Sequence, residues 1–172
     1  MRSNTKKLVR SALFLAIAVI FQMVGKNQPF VGPVVNAILL LTAFYCGTIL
    51  AVCVGILTPA LALVSGVLPA PLGPFVPFIA AGNALFVICF GLFKNYGRIG
   101  GYISIAAGAV VKYIFLYFSA TKIATALKLG IPQKVMKNLA IMMGTPQLVN
   151  ALIGGVIAIV IIEILRKRVS LD

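Results

Sequence analysis

Lys112 is the residue whose type and position carry the clearest chemical consequence, because it lies inside the apolar run YISIAAGAVVKYIFLYF. It comes about eleven residues, or roughly 17 Å, into the helix that this run predicts. A cation at the centre of a membrane helix costs about 2.5–3.5 kcal/mol on insertion scales, so it faces a polar interior or extends to the interface. The one acid inside an apolar run, Glu163, lies too far along the chain's last run to pair with it. An interior Lys112 therefore predicts that the matching anion arrives with a ligand.

Amide side chains in the apolar runs are candidates for the same cavity, because buried amides need partners and a ligand with amide or heterocyclic groups offers them. They are Asn36, Asn83, Gln147 and Asn150. Hydrogen bonds between helices are the alternative role for each of them. Aromatic side chains can stack on a flat ligand or anchor the helices at the membrane interface. Phe30, Phe78 and Tyr117 fit either role, and Phe75 and Tyr113 are the two assigned to the site.

Catalytic chemistry lacks the residues that it needs. The chain has no His and only two acids, Glu163 and Asp172, which both lie near its C-terminal end. Paired carboxylates, His-based triads and His metal sites are therefore absent. Cys46, Cys53 and Cys89 lie in apolar runs, where buried thiols act as small hydrophobic groups. A Walker A loop for ATP is also missing. We expect a protein that is not an enzyme and holds no metal and no cofactor.

The elements that position these residues are predicted by composition. Hydrophobic residues make up 62% of the chain and charged residues 10%, with a mean hydropathy of +1.13, against roughly 45–50% and 25% in soluble domains. Long continuous apolar runs predict membrane helices rather than the alternating strands of a barrel. We expect an all-α membrane protein, a compact bundle of six transmembrane helices in one domain over residues 1–172. The predicted helices cover residues 8–24, 34–46, 47–64, 77–93, 101–121 and 146–165.

The formal charge of +13 arises from 15 Lys and Arg against two acids. Such a charge in a soluble chain indicates nucleic acid, but here the cations lie at the ends of membrane segments, where they set orientation. With both termini inside, nine cations lie on the cytoplasmic side and five outside, which favours the N-in, C-in arrangement. The inner set is Arg2, Lys6, Lys7, Arg10, Lys94, Arg98, Arg166, Lys167 and Arg168, and the outer set is Lys26, Lys122, Lys128, Lys134 and Lys137. The four lysines of segment 122–137 oppose this orientation.

Two outer connections are rich in proline, GKNQPFVGP at 25–33 and GVLPAPLGPFVP at 66–77. The second has four prolines and no charge, so it cannot be helical throughout. Irregular backbone at membrane depth is tolerated where it is buried in protein or lines a cavity. Segment 66–77 is therefore either a stiff connector or a lid over a binding site between helices.

Two alanines four residues apart, Ala12 and Ala16, share one face of the first predicted helix. Small residues at this spacing allow another helix to approach closely. This pair, the basic residues before it, the stretch QPFVGPVVN at 28–36 and six helices in a chain of this size resemble the substrate-binding S component of energy-coupling factor (ECF) transporters. The resemblance covers essentially the whole chain. It implies that stretch 28–36 is an outer loop and that Ala12 and Ala16 contact a transmembrane coupling protein.

The resemblance further implies a multi-pass protein of a prokaryotic cell membrane that binds a small vitamin-like micronutrient. Two cytoplasmic ATPases would supply energy through the coupling protein. Combined with Lys112, this predicts a high-affinity binding subunit for a small anionic substrate, with the lipid bilayer but no nucleic acid as a partner. The alternatives are a stand-alone secondary transporter or channel, and a membrane assembly factor. Secondary transporters often contain inverted repeats, and residues 1–86 show no similarity to residues 87–172.

Overall fold

The computed structural model describes residues 2–25, 28–93 and 97–169, and within these ranges the regular structure is helical without a strand. The all-α prediction is confirmed. The elements are α1 (Arg2–Val24), α2 (Gln28–Tyr45), α3 (Thr48–Val64), a 3-10 segment (Ala70–Phe75), α4 (Val76–Phe93), α5 (Gly97–Phe118), a π-helical turn (Ser119–Ile123), α6 (Ala124–Ala126), α7 (Gln133–Met142) and α8 (Thr145–Val169).

All six predicted apolar segments are helical, but they differ in length. Four stretches are long and apolar enough to cross a membrane: Asn4–Val24, Ala70–Phe93, Ile99–Ala126 and Gln133–Lys167. Phe30–Tyr45 and Thr48–Val64 are shorter apolar helices. At 1.5 Å per residue, α2 and α3 are about 26 Å long, against a hydrocarbon core of about 30 Å.

Two segments expected as outer connections contain helix instead. α2 begins at Gln28 rather than at 34, so the prediction of a loop over 28–36 is wrong. Proline is tolerated in the first turn of a helix, where the amide hydrogen has no intrahelical partner, which permits Pro29 near this start. In segment 122–137, the π-helical turn prolongs α5 and the short α7 follows, with Lys134 and Lys137 exposed. Lys26 and Lys94 lie outside the described residues.

The bundle is organised around α2, which packs against α1, α3, α4 and α8. Leu39, Leu40 and Ala43 of α2 are fully buried in the largest apolar cluster, together with Phe86 of α4. α1 lies at the periphery, because Ser11 and Ala18 are its only buried residues among those described. The centre of the bundle is therefore reached from α2 and α4, and α1 presents a wide exposed face.

A glycine lets α8 approach α2 closely. A Cβ on Gly154 would collide with the carbonyl oxygen of Pro33 and would lie 2.7 Å from the Cβ of Asn36. The carbonyl oxygen belongs to a helix backbone and cannot move aside as a flexible side chain can. The missing side chain of Gly154 therefore sets the distance between the two helices at the level of Asn36.

We predict that Gly154→Ala lowers the stability of the protein by about 1–3 kcal/mol, the usual cost of an overpacked core. Thermal unfolding in mild detergent measures this loss. Gly101→Ala is the matched control, because its Cβ would meet only the flexible end of Ile159 at 3.4 Å. Equal melting temperatures for both variants would contradict the close contact between α2 and α8.

Candidate functional site

Lys112 of α5 is buried, with 3% of its surface exposed. Its ammonium donates hydrogen bonds to the Oδ1 atoms of Asn36 in α2, at 2.7 Å, and Asn83 in α4, at 2.8 Å. The ring of Phe86 lies 5.5 Å from the same nitrogen, so its negative face adds a cation–π contact. One side chain therefore connects three helices of the bundle.

Both amides are held so that their oxygens face the lysine. The Nδ2 of Asn36 donates to the Gly32 carbonyl at 3.0 Å, and the Nδ2 of Asn83 donates to the Gly55 carbonyl at 3.0 Å. Because the amide nitrogens are occupied by carbonyl acceptors, the oxygens are left for the ammonium. The two asparagine oxygens are thus already oriented to accept hydrogen bonds from a cation. Both asparagines bond between helices and also line the cavity, so the two roles expected of them are combined.

The positive charge itself is not neutralised by these contacts. An ammonium has three donor hydrogens, and the described residues accept two of them, both through neutral amides. The partners of Lys112, which the sequence did not determine, are the neutral amides of Asn36 and Asn83. No carboxylate in the described ranges contacts Lys112. One donor remains for a further acceptor.

A cavity of about 130 Å³ lies against Lys112. Of the seven residues predicted for binding, five line it: Lys112, Asn36, Asn83, Gln147 and Asn150. Gln147 and Asn150 are three residues apart on α8, so their amides lie on one face. The apolar part of the wall includes Val67, Leu68, Met142 and Met143.

The two aromatic candidates lie elsewhere. Phe75 is fully buried, stacks on Phe78 at 5.1 Å between ring centroids and packs in a second apolar cluster with Leu116 and Leu139. Tyr113 stacks on Tyr117 at 6.0 Å and is absent from the cavity wall. Tyr113 follows Lys112 directly, and consecutive helical residues point about 100° apart, so the two cannot share one direction. Phe30 is mostly exposed.

Gln22 near the end of α1 also lines the cavity, and sequence reasoning missed it. Its Oε1 atom is buried and has no hydrogen-bond partner. A buried amide oxygen without a partner loses the hydrogen bonds that water would give it. Its position in the apolar run LFLAIAVIFQMV was the available signal, the same one that identified Lys112.

The segment 66–77 is divided in its contacts. Val67 and Leu68 line the cavity, whereas Leu72 and Phe75 are buried in the second apolar cluster. Met142 and Met143 bring the end of α7 to the same wall. The cavity is thus bordered by the connection that follows α3 and by the C-terminal end of α7.

Ala12 and Ala16 are both exposed on α1, on a different side from the buried Ser11 and Ala18. The small face of α1 is therefore turned away from the bundle and is available to another helix.

Comparison with known families gives one result that covers nearly the whole chain. The family model "ECF transporter, substrate-specific component" matches residues 6–166. Neither a curated protein nor a solved structure gives a significant match. With an amide-lined cavity in an apolar helix bundle, the chain belongs to the family of substrate-specific components of ECF transporters, the membrane subunits that bind the transported substrate.

Proposed function

We propose that this subunit binds a small anionic, vitamin-like micronutrient with high affinity, and that Lys112 contacts its negative group. The ammonium at the cavity wall with one free donor and only neutral partners is the observation that carries this proposal. A carboxylate or phosphate on the ligand would accept the third hydrogen bond. It would also offset the cost of burying the cation, because an opposite charge favours the ionised lysine.

The other polar groups of the wall provide contacts for the remainder of the ligand. The Oε1 of Gln22 needs a donor, so it favours a substrate that carries an N–H or O–H group. Gln147 and Asn150 offer both donors and acceptors. The cavity of about 130 Å³ is smaller than the roughly 300–1,000 Å³ typical of ligand sites. A compact substrate therefore fits this wall better than a large one.

The proposed membrane topology has six spans with both termini in the cytoplasm. In this topology the site lies in the middle and outer part of the bundle, where an external substrate would reach it. Gln22 is near the outer end of α1, and Asn150 near the outer start of α8. Asn36 and Asn83 lie close to the middle of their helices, and Lys112 is in the outer third of α5.

Energy for uptake would come from an ECF module of a transmembrane coupling protein and two cytoplasmic ATPases. The exposed Ala12 and Ala16 support α1 as the helix that meets the coupling protein, because close helix contact in lipid depends on small residues. In this arrangement the contact surface and the substrate cavity share α1 but use different faces of it.

We predict that Lys112→Met weakens binding of the anionic substrate by about ten- to a hundredfold, the range for losing a hydrogen bond to a charged group. Calorimetric titration measures the affinity, with thermal unfolding in parallel. Methionine keeps the length of the stem and removes the charge, so the fold should persist. Lys134→Met is the matched control, because Lys134 is exposed and lies outside the cavity wall. Unchanged affinity in a folded Lys112→Met variant would refute the anionic substrate.

We predict that the double change Ala12→Trp and Ala16→Trp disrupts assembly with the coupling protein and leaves substrate affinity of the isolated subunit unchanged. Bulky rings at both positions would keep the second helix from approaching. The measurements are co-purification of the complex and titration of the isolated chain. Ala106→Trp, on an exposed position of α5, is the control. A normal yield of the complex with the double variant would show that this face of α1 does not contact the coupling protein.

A further inference from the structure

A second concave site lies at the opposite end of the bundle from the substrate cavity. It is a groove of about 880 Å³ between the middle of α1 and the C-terminal ends of α2 and α8. Its apolar lining comes from Leu13, Phe14 and Ile17 of α1 and from Leu165 of α8. Arg10 in this groove and Gln22 at the cavity are twelve residues apart on α1, which is roughly 18 Å along the helix. The groove and the substrate cavity share no lining residue, so they are separate sites.

The polar groups of the groove lie on both of its sides. Arg10 belongs to α1 and Arg166 to α8. The guanidinium of Arg166 lies over the ring of Phe44, 4.7 Å from its centroid, which holds the charge in place. The hydroxyl of Tyr45 in the wall is buried and has no hydrogen-bond partner. Among the described residues, no acidic side chain lines the groove.

We propose that this groove binds an anionic phospholipid of the surrounding leaflet. The headgroup phosphate would contact Arg10 and Arg166 and accept the hydrogen bond of the Tyr45 hydroxyl. Guanidinium groups suit phosphate because their N–H donors form paired bonds with its oxygens. One acyl chain would lie along Leu13, Phe14 and Ile17.

The charge and the apolar lining together favour a lipid over other occupants. Basic pockets between membrane helices on the cytoplasmic side are suited to anionic headgroups, and this groove combines two cations with an apolar floor that a free phosphate would leave uncovered. Leu13 and Ile17 directly follow Ala12 and Ala16 on α1, so the bound lipid would border the proposed coupling surface.

The test is native mass spectrometry of the full chain titrated with phosphatidylglycerol and with phosphatidylcholine of the same acyl chains. Wild type should retain phosphatidylglycerol preferentially. Each cation near an anionic lipid contributes roughly fivefold in affinity. The double change Arg10→Gln and Arg166→Gln should therefore reduce the preference for phosphatidylglycerol about 25-fold. Lys128→Gln with Lys137→Gln removes the same charge from exposed positions outside the groove. An unchanged preference in the arginine variant, or an equal loss in the lysine variant, would overturn the proposal.

Tyr45→Phe provides a second test that does not disturb the Arg166 contact with Phe44. It removes one oxygen that lacks a partner, so the melting temperature should stay equal or rise, while retention of phosphatidylglycerol should fall about tenfold. Inorganic phosphate at the same concentration should not displace the lipid, and displacement would overturn the proposal. Co-purification with the coupling protein distinguishes the other occupant. If the change of Arg10 and Arg166 to Gln weakens binding of the coupling protein and leaves the lipid preference unchanged, the groove binds the coupling protein and the lipid proposal is wrong.

Discussion

The ammonium of Lys112 lies inside an apolar helix bundle, donates to two asparagine oxygens, and contacts no carboxylate in the described part of the chain. A buried charge is stable only where nearby dipoles or charges replace water. Here the dipoles come from Asn36 in α2 and Asn83 in α4. These hydrogen bonds therefore fix α2, α4 and α5 relative to one another, and the ammonium keeps one free donor beside the cavity.

Backbone groups hold Asn36 and Asn83 in position around Lys112. The carbonyls of Gly32 and Gly55 fix the two amides, and Gly154 lets α8 approach α2 beside Asn36. The peripheral α1 contributes Gln22 to the cavity, while Ala12 and Ala16 are exposed on a side of α1 that is turned away from the bundle. The cavity and the exposed small face therefore share one helix that is only lightly packed into the bundle.

Sequence alone was sufficient to identify site residues where a polar side chain lies in an apolar run, because burying it without a partner costs free energy. Lys112, Asn36 and Asn83 were identifiable because charged and amide groups in apolar runs need partners, and the structure brings them together. Sequence alone did not give the direction of the aromatic side chains: Phe75 packs in the second apolar cluster, and Tyr113 stacks on Tyr117 rather than lining the cavity. The early start of α2 was missed because the prolines in QPFVGP indicate a loop, whereas Pro29 falls in the first turn of the helix and Pro33 lies inside it.

We propose that an anionic group of the substrate neutralises the ammonium of Lys112 at the cavity wall. The substrate itself can be identified by purifying the subunit in mild detergent from its own membranes, denaturing it, and analysing the released small molecule by mass spectrometry. We expect a compact compound with at least one negative charge at neutral pH, bound at about one per chain. A neutral or cationic compound at that stoichiometry would contradict this proposal.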